Sequence, residues 1–279
     1  MVSLPIYDIL TTMDYVYGVL LGIVQGVTEF FPISSSGHLI LLPQLLGQSD
    51  QGLAIDAVLH LATALAIIFY FRKDFISMVM KWRTSKTLRK LIIAAIPAVI
   101  AGLVLDSIVE TVFRSGWVVV ATLSGVALLM WWVEKNYTEV RVMGDDHSQE
   151  LDLSRVDQLD ALIIGLSQVF ALIPGTSRSG ITIITGMWRK VPRATAAKFS
   201  FLLGAPITLG AGLLKSIDLV KNPATDWGFV FVAGLTTFGV ALWSMSWLLS
   251  YLKTHTLKPF IIYRIVLAVA VSVFLLMNS

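Results

Sequence analysis

Six stretches of this chain are apolar over lengths that can cross a bilayer: 53–71, 91–108, 117–133, 196–214, 228–249 and 260–276. A spanning helix needs about 20 such residues. Charged residues make up only 14% of the 279, and hydrophobic ones 56%. An ordinary soluble domain carries about 25% charge, so this chain cannot solvate its own surface. The runs are long and continuous, unlike the short alternating strands of an outer-membrane barrel. The fold class read from this pattern is an all-α polytopic membrane protein. The absence of Cys excludes disulfides, thiolate zinc sites, iron–sulfur clusters and Cys-phosphatase chemistry. The net charge of +3 is attributed to loop bias across a membrane, with no nucleic-acid partner. Residues 1–14 carry Asp8 and Asp14 and no basic start, so no cleavable signal is expected.

Two further apolar regions do not fit simple spans. Residues 15–47 are broken by Phe31-Pro32-Ile33-Ser34-Ser35-Ser36-Gly37, and 159–190 by Pro174-Gly175-Thr176-Ser177-Arg178-Ser179-Gly180. The arm from Gly37 to Gly47 reaches only about 16 Å as a helix, half the hydrocarbon thickness. Both regions are read as re-entrant helix–loop–helix hairpins. Irregular backbone at membrane depth survives only when buried in protein or lining a polar cavity. The two breaks also match each other. Gly22, Gln25, Ser34, Ser36 and Gly37 recur as Gly165, Gln168, Ser177, Ser179 and Gly180, always 143 positions on.

Charge topology supports a repeat independently. With the 81–90 loop in the cytoplasm, all but four of the 21 Lys and Arg fall on that side, Arg264 included. Arg114, Lys215 and Lys221 fall outside, and Arg178 within the membrane. This is a strong positive-inside bias. It makes the first hairpin enter from outside and the second from inside. The organisation expected is an inverted repeat: 1–134 with hairpin 15–47, a cytoplasmic linker over 135–158, and 159–279 with hairpin 159–190.

Ionisable groups inside a membrane are costly and are functional candidates by default. Arg178 stands among hydroxyls, and its guanidinium forks onto paired oxygens of phosphate or carboxylate. Helices starting near Gly180 and after Ser36-Gly37 aim their free N–H groups at the same spot. An anion site results, with Arg178, Ser35 and Ser177 at its centre and Gln25, Ser34, Ser36, Ser179 and Thr182 as further ligands. The blander alternative is an Arg178–Glu29 pair that only joins the halves. Glu29 shares a helix face with Gln25; beside an anion it must be protonated, hold a divalent cation, or act as acid or base. His38 is a candidate nucleophile or proton donor. His60 reads first as a packing histidine. Asp56, His147 and His255 carry weaker signals.

The stretch from Gln25 to His38 resembles the first signature of the bacterial undecaprenyl-diphosphatase family, the bacitracin-resistance membrane phosphatases. Pro174 to Thr182 resembles its second, Pro-Gly-x-Ser-Arg-Ser-x-x-Thr, fully matched. The likeness runs over nearly the whole chain, including Ile96-Pro97-Ala98 and Tyr263-Arg264. Gln25 stands where the family has Glu or Gln and removes one carboxylate. The resemblance implies hydrolysis of undecaprenyl diphosphate to undecaprenyl phosphate and phosphate, recycling the lipid carrier for peptidoglycan. It implies a plasma-membrane site open to the outer face and a divalent cation, magnesium or calcium. The expected partners are the polyprenyl diphosphate and the bilayer. The oligomeric state stays open, a homodimer included.

The nucleophile is also open between His38, a Ser, and water activated by Glu29; His38 is favoured as nucleophile or general acid, with Glu29 orienting it or holding metal. The main rival is a secondary transporter or lipid flippase using the same midplane site. A phosphatidic-acid-phosphatase type is disfavoured, because no His follows Ser177-Arg178 in the needed place. No Walker nucleotide loop is present.

Overall fold

The computed structural model describes residues 6–47, 52–111, 115–137, 151–223 and 225–277. All of these are helical or connecting segments. Eleven α-helices follow in order: α1 Ile6–Thr28, α2 Ser35–Leu45, α3 Leu53–Tyr70, α4 Arg72–Met80, α5 Lys86–Thr111 and α6 Gly116–Asn136. Then come α7 Gln158–Gln168, α8 Arg178–Trp188, α9 Arg193–Lys221, α10 Trp227–Tyr251 and α11 Lys258–Met277. Six of them, α3, α5, α6, α9, α10 and α11, are long and apolar enough to cross a membrane. They are the six runs read from the sequence.

The short helices α2 and α8 are the second arms of the two hairpins. Both have 11 residues, and a shift of 143 positions carries one onto the other. The same shift largely reproduces the packing. The pairing of α1 with α10 answers that of α7 with α5, while α3–α9 and α6–α11 answer themselves. The matched glycines explain the first two contacts. A Cβ on Gly22 would stand 2.7 Å from the Ala233 carbonyl, and one on Gly165 would collide with the backbone of Ala94. Membrane helices approach closely only where small residues permit it.

The hairpins point in opposite directions. Gly212, late in α9, faces Ala57 and Leu61, early in α3. At the other end Lys198, early in α9, pairs with Asp74, just past α3, at 2.9 Å. The two helices therefore run antiparallel, and α2 and α8 lead to opposite ends of the molecule. Ion pairs gather at the end where α9 begins: Arg193–Glu134 at 2.6 Å and Arg189–Asp160 at 2.7 Å. Lys90 Nζ donates there to the Leu153 carbonyl at 3.0 Å.

Two boundaries differ from the sequence reading. The first hairpin arm starts at Ile6, not at residue 15. Of the linker expected over 135–158, residues 138–150 and with them His147 lie outside the described residues. Its last part is a 3-10 turn at Leu153–Arg155 leading into the Asp157 capping box of α7.

Candidate functional site

The site is assembled where the two breaks meet. Ser34 and Ser177, the residues before α2 and α8, both adopt left-handed backbone, at φ 76 and 71. Such a conformation costs about 1–3 kcal/mol for a residue other than glycine. Each serine offsets part of this by capping its helix. Ser34 Oγ accepts the Gly37 N–H at 3.3 Å, and Ser177 Oγ accepts the Gly180 N–H at 3.1 Å. The helices therefore begin two residues earlier than the glycines from which the sequence starts them. Ser35 and Arg178 become the first residues of α2 and α8. They are equivalent positions of the repeat, one carrying a hydroxyl and the other a guanidinium.

Both reach the same carboxylate. Arg178 Nη2 donates to Glu29 Oε1 at 2.6 Å, and Ser35 Oγ donates to Glu29 Oε2 at 2.6 Å. Glu29 lies just past the end of α1, 7% exposed. Gln25, one turn earlier, places Nε2 3.2 Å from Glu29 Oε2 and 2.7 Å from His60 Nδ1. Its two N–H groups thus serve both neighbours. Arg178 Nη1 donates to Thr208 on α9 at 2.7 Å. Gly204 makes room for the guanidinium, since a Cβ there would overlap it.

Of these groups, Glu29, Ser35, Arg178, His60 and Thr208 line a cavity of about 340 Å³. Its walls include Ser34, Ser35, Ser36, Ser177 and Arg178 from the turns. His60 and Asp56 come from the first half of α3, Thr208 and Lys215 from the second half of α9. The cavity thus opens toward the end of the molecule opposite the gathered ion pairs. Below it the packing is closed. Phe30 meets Phe201 edge-on with centroids 5.1 Å apart, and Phe199 and Leu203 are fully buried. First-turn amides of two helices, which have no partner within their own helix, start at this wall beside Arg178. An anion with several oxygens suits that arrangement.

Four residues read from sequence as site groups do not line the cavity. His38 lies on the other side of α2: Nδ1 is 2.6 Å from the Ser34 carbonyl and Nε2 is 2.7 Å from the Tyr263 hydroxyl. It belongs to an apolar groove with Val24, Val27, Phe31 and Phe260. Spacing alone would put His38 on the face of Ser35, one turn on; its ring is instead folded back on the Ser34 carbonyl and held by Tyr263 of α11. Gln25 is fully buried behind Glu29. Ser179 donates to the Phe31 carbonyl at 3.2 Å, and Thr182 bonds Arg178 O and Ser200 Oγ at 2.7 and 2.6 Å. These two tie α8 to its neighbours behind the wall.

The structure also adds groups. His60, read as a packing residue, stands in the cavity wall beside Glu29, its Nδ1 3.2 Å from Oε2. Thr208 and Gly204 lie on either side of Pro206 within α9, and neither stands out within the apolar run 196–214. Arg264, which the charge pattern assigns to the cytoplasmic side, is fully buried. It donates to the carbonyls of Leu123, Thr122, Pro32 and Gly175 at 2.9–3.2 Å. It thereby ties both turns to α6. Gly175 has φ +87 and is pressed against Val119 and Thr122, which leaves no room for a side chain.

The residues present do not fit a cation held by the protein alone. Both Glu29 oxygens are engaged by Arg178, Ser35 and Gln25. Among the described residues no group of three or more His, Asp or Glu could hold a metal ion. Gln25 donates where a carboxylate would have been a ligand.

Fold and site define a polytopic helical membrane protein with a cavity, walled by Arg178, Glu29 and serines, between two paired helix turns. The sequence matches the family described as Bacitracin resistance protein BacA over residues 18–270, and the chain belongs to that family. It is 40% identical to an undecaprenyl-diphosphatase of Gemmatimonas aurantiaca over 91% of this chain and 95% of the relative. It is 38% identical to one from Idiomarina loihiensis, covering 92% and 97%. A third, from Elusimicrobium minutum, is 40% identical, covering 95% and 100%. These relatives lend no support to the transport reading.

Proposed function

We propose that this protein hydrolyses undecaprenyl diphosphate to undecaprenyl phosphate and inorganic phosphate, with Ser35 as nucleophile. The observation that carries the reading is the Ser35 hydroxyl 2.6 Å from a carboxylate that Arg178 holds at the wall of the cavity. Serine is a weak nucleophile unless an adjacent base takes its proton, and Glu29 is placed to do so. Phosphoryl transfer otherwise needs mainly positioning and charge stabilisation, which Arg178 and the two helix N-termini supply. Ser35 Oγ bonds to the terminal phosphorus while Glu29 takes the hydroxyl proton. The bond from that phosphorus to the bridging oxygen breaks, and the lipid monophosphate leaves with the proton that Glu29 had taken, which restores the Glu29 carboxylate. Water, deprotonated by Glu29, then attacks the phosphoserine, and Ser35 departs with that proton. His38, turned away from the cavity, has no part in bond making in this scheme.

The cavity mouth lies at the end where α3 begins and α9 finishes. With the cationic loops in the cytoplasm, that end faces outward across the plasma membrane. A divalent cation would be brought by the substrate and not held by Glu29, whose oxygens are taken by Arg178, Ser35 and Gln25, and it would screen the charge of the diphosphate. Accordingly EDTA suppresses turnover and magnesium or calcium restores it, while EDTA leaves the melting temperature of substrate-free protein unchanged. A drop in that melting temperature would instead reveal a metal held by the protein.

The test is phosphate release from undecaprenyl diphosphate by detergent-purified protein. Ser35→Ala and Arg178→Ala each lower turnover by at least about a thousandfold, as loss of a nucleophile or its electrostatic partner does. Unchanged turnover in Ser35→Ala would exclude Ser35 as nucleophile. No release by folded wild type would overturn the phosphatase reading.

A further inference from the structure

The two turns share a backbone shape but hold it differently. At the second, the Ile181 amide donates to the Ser177 carbonyl at 2.9 Å. At the first, the equivalent His38 amide is 3.4 Å from the Ser34 carbonyl, at the limit of a hydrogen bond. The His38 ring supplies what is missing, with Nδ1 2.6 Å from that same carbonyl. A carbonyl can only accept, so Nδ1 carries the proton. Nε2 is then an acceptor, and the Tyr263 hydroxyl donates a hydrogen bond to it at 2.7 Å. The two rings lie nearly parallel, 13° between planes and 5.7 Å between centroids. The helices differ in support as well. α8 is packed among α6, α7 and α9, whereas α2 leans on α1 and only lightly on α6. The Ser34 carbonyl belongs to the peptide that leads into Ser35, so whatever fixes its direction fixes the hydroxyl that faces Glu29.

We propose that His38 and Tyr263 are positioning residues: from outside the cavity they lock the Ser34–Ser35 peptide and so aim Ser35 Oγ at Glu29. The assignment rests on the phosphatase reading, in which Ser35 is the nucleophile. It gives His38 a role in turnover without contact with the substrate.

The test compares His38→Asn, His38→Gln and Tyr263→Phe in the full-length protein. An Asn amide nitrogen takes the place of Nδ1 and keeps the bond to Ser34. A Gln amide reaches instead toward the position of Nε2. His38→Asn therefore retains kcat within about fivefold, whereas His38→Gln loses about thirtyfold or more, as misplacement of a reacting atom by an ångström does. Tyr263→Phe loses about fivefold to tenfold, on the same ground. KM stays within about twofold in all three, because the phosphate ligands are untouched. Hydrogen exchange of the amides of residues 35–38 gives a readout independent of activity. It speeds up in His38→Gln and stays near wild type in His38→Asn.

Equal kcat and equal exchange in the Asn and Gln variants would overturn the positioning role. So would an acid-labile phosphohistidine trapped on His38, which would make it the nucleophile. An inactive wild type would instead remove the phosphatase reading, and the exchange contrast would still decide whether His38 holds the turn.

Discussion

Glu29 is the residue that joins chemistry to folding. It receives Arg178 from one hairpin and Ser35 from the other, and it is almost fully buried. Removing one partner of a buried ion pair strands the other charge and costs about 3–5 kcal/mol, while replacing both by apolar groups is often close to neutral. Glu29→Leu or Arg178→Met alone should therefore lower thermal stability in detergent by about that amount. The double variant should recover most of it, yet all three should release no phosphate. Activity in the double variant would show that the pair only joins the halves. Glu29, Arg178 and Ser35 were legible in the sequence because an ionisable or hydroxyl group in a broken apolar run has little other reason to be there. His60 was visible but underweighted, since its spacing is equally that of a packing residue. Thr208 was invisible: a threonine on a spanning helix is ordinary until Arg178 is seen to reach it.

At the scale of elements, small residues and one buried arginine decide how closely the helices and turns can meet. Gly204→Ala pushes a methyl group into the Arg178 guanidinium. We expect KM to rise at least about tenfold through the displaced phosphate ligand, an effect worth about 1.4 kcal/mol, with the helix itself slightly favoured. Steady-state kinetics beside a melting curve separates the two effects. Arg264→Met removes the donors of four carbonyls. The Thr122 and Leu123 carbonyls keep their partners within α6, but those of Pro32 and Gly175 are orphaned at about 1–3 kcal/mol each, so this variant should melt well below wild type. A variant that melts like wild type would mean that the turns hold themselves. Four of the six long helices were read to within three residues of their ends from hydropathy, while α5 starts at Lys86, ahead of the run 91–108, and α9 continues to Lys221, past the run 196–214. The starts of α2 and α8 were not read, because the caps depend on serines in left-handed backbone, and nothing in the sequence distinguishes Ser34 from Ser35 or Ser36.

At the scale of the whole molecule, the pseudo-symmetric halves are antiparallel, and the cavity belongs to one end. The chain has no Cys, so single cysteines report orientation without background. Lys215→Cys should react with a membrane-impermeant maleimide from the outer side of intact cells, and Lys86→Cys only after the membrane is opened. The reverse pattern would place the cavity in the cytoplasm. The sequence by itself determined the class, the spans and the two breaks with their fixed offset. Hydropathy, charge bias and a fixed offset are properties of the chain read in one dimension. Only the tertiary structure decided which face each polar group presents. It turned His38 toward Tyr263 and brought His60 and Thr208 to the cavity. It also drew Arg264 from its expected place with the cytoplasmic cations into the centre. The physical reason is that a helix carries neighbouring side chains to opposite sides, and a residue's partners come from helices far away in sequence.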